Sequence, residues 1–189
     1  ISSSRYLDPS IDYAVNVFLS KINWKSIGSG INFNISKYAS KRLIKEAKRA
    51  CAFDVLENHK HIDISAESAI LVFIGNIWKH GYQEDVFSEL EKLVAHNNIP
   101  IIITNNGDDR FDSMSLNTSS DFNVDLNIDV PVIKIPKVGT QYSFPINVLV
   151  IEKFIKKIAN HDNENKKNGG FSAALKPPGM DLLDANIWK

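Results

Sequence analysis

Three stretches of this sequence carry side chains able to do chemistry. Glu46 stands in a run of cations, KRLIKEAKRA, from Lys41 to Ala50. A carboxylate held beside a substrate can take a proton from carbon and return it. Its alternative reading is a solvated side chain, paired along a helix with Arg42 or Arg49. His59 and His61 flank Lys60 in LENHKHID. Their imidazoles titrate near neutral pH, and no third ligand stands at metal-binding spacing. Gly28-Ser29-Gly30 is the third stretch. Two glycines there let the chain turn sharply and bring backbone N–H groups close to a small anion.

Other chemistries are excluded or disfavoured. A dinucleotide fingerprint needs a third glycine three residues after Gly30, and that position is Phe33. Neither a Walker loop nor a G-x-S-x-G elbow is present. Asp108, Asp109 and Asp112 could suggest a Mg²⁺ site, but a solvated loop is the expectation. Cys51 is the single cysteine. It lies in an apolar register and reads as a buried, inert thiol. His80 and His96 read as surface residues. No metal and no cofactor is expected.

The elements that must position these residues follow from hydrophobic periodicity. Ile11, Val15, Phe18, Leu19 and Ile22 fit a helix over 10–22, with Asp8 as cap and Pro9 in its first turn. A short strand over 24–27 leads into the Gly-Ser-Gly turn. The next helix is expected to be capped by Asn34 or Ser36, with an apolar line at Ile35, Ala39, Leu43, Ala47 and Ala50. A strand over 52–56 and the apolar run 69–74 follow, the latter suited to a parallel strand buried on both faces. A helix over 85–96, a strand over 99–104, a strand over 130–135 and a helix over 145–159 complete the pattern. Residues 108–129 read as irregular, with a weak strand near 124–126. The last helix should face inward through Ile146, Leu149, Val150, Phe154 and Ile158. From Asn160 to Gly170 the composition turns polar and reads as a linker, followed by a flexible tail to Lys189. The expected division is therefore a domain over 1–160 and a linker and tail over 161–189. Alternating helices and strands with short links predict an α/β fold: a three-layer, doubly wound parallel sheet. Ligands in such sheets sit at the carboxyl ends of the strands. Here those ends are 28–34, 75–81 and 105–109.

The chain has 189 residues, enough to bury an ordinary α/β core. Its 22 Lys and Arg balance 22 Asp and Glu, so net charge gives no footprint for nucleic acid. The longest apolar run, 69–74, is far too short to span a bilayer. The opening ISSSRYLDPS has no signal-peptide pattern. A reducing, cytoplasmic setting is the expectation, with neither nucleic acid nor membrane as partner.

Taken in order, these pieces resemble a sugar isomerase (SIS) domain, of the kind that forms the C-terminal isomerase lobe of glucosamine-6-phosphate synthase (glutamine–fructose-6-phosphate aminotransferase). SIGSGINF is similar to the family's strand and Gly-x-Gly turn. Leu43-Ile44-Lys45-Glu46 is similar to its Leu-Lys-Glu helix ending, and LENHKHID loosely to its Glu-Leu-x-His-Gly loop. AILVFIGN, IPIIITNN and VIKIPKVGTQYSFPINVLVIEKFI are similar to its later strands and long helix. The resemblance implies a flavodoxin-like SIS fold and ketose–aldose isomerisation of a hexose 6-phosphate, from fructose 6-phosphate to an aminosugar phosphate. It implies Glu46 as base, His59 or His61 as the ring-opening histidine, and Lys189 as a tail lysine that reaches the sugar. Gly28, Ser29, Gly30 and Asn32 would bind substrate. A homodimer or a partner SIS lobe is implied as well. The chain departs from the family where GNIWKHGYQED, after the 69–74 strand, has no Ser or Thr to cradle phosphate. The His-Gly-Pro segment is also replaced. A non-catalytic, regulatory or vestigial sugar-phosphate module is therefore the alternative.

Overall fold

A computed structural model of the chain describes residues 4–19, 21, 23–61, 68–75, 82–95, 98, 100–112, 115–119 and 125–167. Five parallel strands make the sheet: β1 (Asn23–Gly28), β2 (Ala50–Asp54), β3 (Ala69–Phe73), β4 (Pro100–Asn105) and β7 (Val132–Ile135). Their spatial order is β2-β1-β3-β4-β7. The order reverses direction between β1 and β3, which makes that pair the topological switch point of a doubly wound sheet.

Both faces of the sheet are covered. Residues Leu71, Phe73, Ile101, Ile103, Ile133 and Ile135 pack on one side against α1 (Ser4–Phe18), α2 (Ile31–Glu46) and α4 (Thr140–Lys167). Ile70, Val72, Ile74 and Ile102 face the other way, onto Val86, Leu90 and Leu93 of α3 (Tyr82–Ala95). Successive side chains of a strand point to opposite faces, so a strand sandwiched between two helix layers must be apolar throughout. All five residues of β3 and all six of β4 are buried. The three-layer α/β class read from the sequence is the one observed.

Several local expectations differ. The first helix begins at Ser4 and runs through Pro9, ending at Phe18, where Lys21 N donates to Phe18 O (2.9 Å). Proline at that position removes one helical hydrogen bond without stopping the helix. The second helix starts at Ile31, directly from Gly30, with no side-chain cap. Asn34 and Ser36 lie inside it, and the Ser36 hydroxyl donates to Phe33 O instead (2.8 Å). Ala50 falls in β2 and outside the helix line. Residues 108–129 contain an antiparallel hairpin, β5 (Ser115–Ser119) and β6 (Asp125–Asp129), in place of irregular chain. Polar composition hid it, because a hairpin is specified by pairing register more than by strand propensity. Leu149 of α4 is 64% exposed, since Ser143, Asn147, Val150, Ile151, Phe154, Ile155 and Ile158 form the inward line. Finally, α4 continues to Lys167, past Asn160, where the composition had read as linker.

Two polar contacts tie α4 to the α2 region. Arg49 is buried just after α2 and pairs through Nη2 with Asp162 Oδ1 at 3.0 Å. That contact anchors the last turns of α4. Closer to the middle, Arg42 grips Glu152 with two bonds, from Nε (2.8 Å) and Nη2 (2.5 Å). The Tyr38 hydroxyl donates to the same carboxylate at 2.7 Å. Arg42 and Tyr38 together hold the Glu152 carboxyl below the usual glutamate range, Arg42 contributing most.

Asp162→Ala leaves the buried Arg49 guanidinium without its partner. Loss of a counter-ion at a buried pair costs about 3 kcal/mol. Chemical denaturation should show a lowered midpoint at unchanged slope. Glu152 has a depressed pKa in the folded chain, so its contribution is present above the ordinary glutamate value of 4.5 and lost as pH falls through the folded value. Glu152→Gln should cost about 1 kcal/mol at pH 7, and the gap to wild type should close in melting curves taken progressively below pH 4.5.

Candidate functional site

The carboxyl ends of β1 and β3 lie side by side, with Gly28 in register with Phe73. The crevice there is built by tight backbone packing. A Cβ on Gly28 would meet Asn32 O at 2.7 Å, so only glycine lets the first turn of α2 come this close to the strand. Gly30 follows with φ of 58°, the left-handed region that favours glycine, and swings the chain into the helix. The α2 N-terminus therefore opens at the switch point. Asn32 N and Phe33 N already donate to Ser29 O (3.1 Å) and Gly30 O (3.2 Å), and the helix end carries the positive end of the helix dipole.

Asn32 is fully buried in that turn. Its Nδ2 donates to Gly75 O at 3.1 Å and so bridges the ends of β1 and β3. Its Oδ1 has no hydrogen-bond partner among the described residues. Asn105, at the end of β4, is also buried, and its Nδ2 donates to Pro136 O at 3.3 Å. These two amides line the carboxyl edge across three neighbouring strand ends.

Ser29 does something different from the binding role expected of it. It is 5% exposed, and its hydroxyl accepts from Leu56 N at 3.2 Å while donating to Glu57 Oε2. Both capacities point at the turn that follows β2. That turn is a 3-10 helix, Leu56–His61, pinned below by Leu56 in the α3-side core. His59 and His61 belong to it, so Ser29 anchors the histidine-bearing turn to the end of β1. Glu57 is the site residue that periodicity and spacing did not single out, although it belongs to the LENHKHID segment. The signal was topological: a turn after an edge strand folds back over the switch point.

Glu46 lies elsewhere. It ends α2 and precedes the first residue of β2 by only four positions, at the amino edge of the sheet. Fifteen helical rises of 1.5 Å put it about 22 Å from the helix start. Its carboxylate pairs with Arg42, which also holds Glu152, on the outer side of α2. Within this chain it does not converge with the glycine turn. The side chains of His59 and His61, and the whole of Lys189, lie outside the described residues.

The remaining candidates are quiet. Cys51 is buried, and desolvation pushes its thiol up to about 12, as an inert cysteine requires. Asp109 and Asp112 both accept from Lys134 Nζ, at 2.6 and 2.5 Å, while Asp108 pairs with Arg110. Each carboxylate of the acidic loop is thus engaged by Arg110 or by Lys134 of β7. Among the described residues no group of His, Cys, Asp and Glu gathers as a metal site. None of the described helices is long and apolar enough to cross a membrane.

No protein-family model matches the chain, and no curated protein is similar to it in sequence. Solved structures are similar in fold. The C-terminal domain of glucosamine-fructose-6-phosphate aminotransferase from Francisella tularensis superposes with a TM-score of 0.61 at 15% identity, over 82% of this chain and 39% of that one. The RpiR transcription factor from Sphaerobacter thermophilus, through its sugar isomerase domain, gives 0.57 at 12% identity, over 85% and 82%. Tagatose-6-phosphate ketose/aldose isomerase from Escherichia coli gives 0.54 at 16% identity, over 81% and 43%. This chain thus spans less than half the length of the two enzymes and most of the regulator domain. Strand order, switch point and these superpositions agree: the chain has the sugar isomerase domain fold.

Proposed function

We propose that this chain is a sugar-phosphate-binding lobe that receives its ligand in the crevice at the carboxyl ends of β1 and β3. The observation that carries the reading is the start of α2: an uncapped helix N-terminus, opened by left-handed Gly30, at the switch point of the sheet. Such a terminus offers the positive end of the helix dipole to a phosphate. It compensates for the absence of Ser and Thr in residues 75–85, after β3. Two structures of this fold are named for sugar phosphates, and a third belongs to a transcription factor. Both a catalytic and a regulatory use of such binding fit the architecture. Isothermal calorimetry should register fructose 6-phosphate binding at millimolar ligand or below, with inorganic phosphate competing. Complete silence at millimolar sugar phosphate counts against the proposal.

A second reading is favoured by one observation. The Glu46 side chain is 34% exposed on the α2 surface, open to another lobe or subunit. In that reading the chain is an isomerase lobe of a glucosamine-6-phosphate synthase-like protein. Glu46 moves the proton between C1 and C2 of a sugar held by the partner, and His59 or His61 and Lys189 serve ring opening and contact with the sugar. Replacing Glu46 with Gln in the full-length protein should lower ketose–aldose isomerisation at least a hundredfold, the scale of one general base. Isomerisation at the full rate would remove the assignment.

A further inference from the structure

The carboxylate that geometry brings to the switch point is Glu57. It hangs from the end of β1 through the Ser29 hydroxyl, one residue after buried Leu56. The tether is held at the Ser29 end, because Ser29 is buried and the chain before it, at Gly28, packs against Asn32 O. Glu57 is otherwise solvent-exposed. An ionised carboxylate is acceptor-only, with about four lone-pair positions on two oxygens. Ser29 takes one of them on Oε2. What remains suits a ligand with adjacent hydroxyl donors and suits an anion poorly.

We infer that Glu57 is the residue of this chain that recognises the sugar: it accepts hydrogen bonds from vicinal hydroxyls while the α2 terminus takes the phosphate. The inference rests on the crevice being the sugar-phosphate site, and it divides the ligand between two elements. The negative carboxylate is held by Ser29, and the positive helix end begins two residues later at Ile31. A polyhydroxylated phosphoester satisfies both, whereas a bare phosphate satisfies only one. Ser29 acts through Glu57 and is a positioning residue.

The test compares wild type, Glu57→Gln and, as a control on the exposed side of α3, Glu91→Gln by calorimetry with fructose 6-phosphate and, separately, with inorganic phosphate. Gln keeps a carbonyl oxygen for the Ser29 hydroxyl, and melting curves establish that both variants fold. The expected result is an affinity of Glu57→Gln for fructose 6-phosphate at least about tenfold below wild type. Its affinity for inorganic phosphate should be equal or slightly higher, and Glu91→Gln should match wild type with both ligands. If Glu57→Gln binds fructose 6-phosphate as wild type does, the assignment of Glu57 is overturned while the crevice keeps its proposed role. If wild type binds inorganic phosphate but prefers no sugar phosphate to it, the sugar-reading role is likewise overturned. If wild type binds neither ligand, the crevice reading falls and the role of Glu57 falls with it.

Discussion

The contact between the end of β1 and the first turn of α2 governs the rest of the molecule. At Gly28 there is no room for a side chain, because Asn32 O would lie 2.7 Å from its Cβ. That absence of volume lets the helix rise directly from the strand. Once it does, Asn32 reaches Gly75 and joins two strand ends, and Ser29 is left facing the turn after β2. Shift the helix outward by the thickness of a methyl group and these contacts are lost together. The crevice is a by-product of backbone packing more than of any one polar side chain.

Polar contacts at the other end serve cohesion. Arg42 is shared by Glu46 and Glu152, and Tyr38 adds a third bond to the network. Arg49 with Asp162 does the same job beyond the end of α2. Helices α2 and α4 lie next to each other on one face of the sheet, and the rows of cations on α2 find acids on α4. What looked in sequence like a basic run is therefore partly internal pairing. The same is true of the acidic loop, where Lys134 and Arg110 between them pair with Asp108, Asp109 and Asp112.

The fold was legible because burial on both faces leaves a distinct trace. AILVF and PIIITN have no polar alternation to confuse with a surface strand, and α/β order followed from their spacing. The Gly-Ser-Gly turn was legible as a turn for steric reasons. The role of Ser29 was not, because its partners Leu56 and Glu57 are 27 and 28 residues away and periodicity says nothing about such pairs. Glu46 stood out by family likeness, yet helix length alone carries it to the opposite edge from the glycine turn. Leu149 was assigned inward because its spacing fits a helix face, but the face that Val150 and Phe154 choose is rotated from it. Of the hairpin, β6 showed only as the weak strand near 124–126 and β5 escaped, because its residues are polar and its order comes from register.

The border strand β2 has a consequence for how the sheet ends. It has a single neighbour, β1, and its Phe53 is 39% exposed. A bare aromatic on an unpaired rim invites a foreign strand to add on. Here Phe33 leans on the ring with centroids 5.9 Å apart, and the Lys37 ammonium sits 5.8 Å above it. Any strand that approached would have to displace a solvated cation. The rim therefore acts as a gatekeeper against lateral self-assembly, and the five-stranded layer stops at β2.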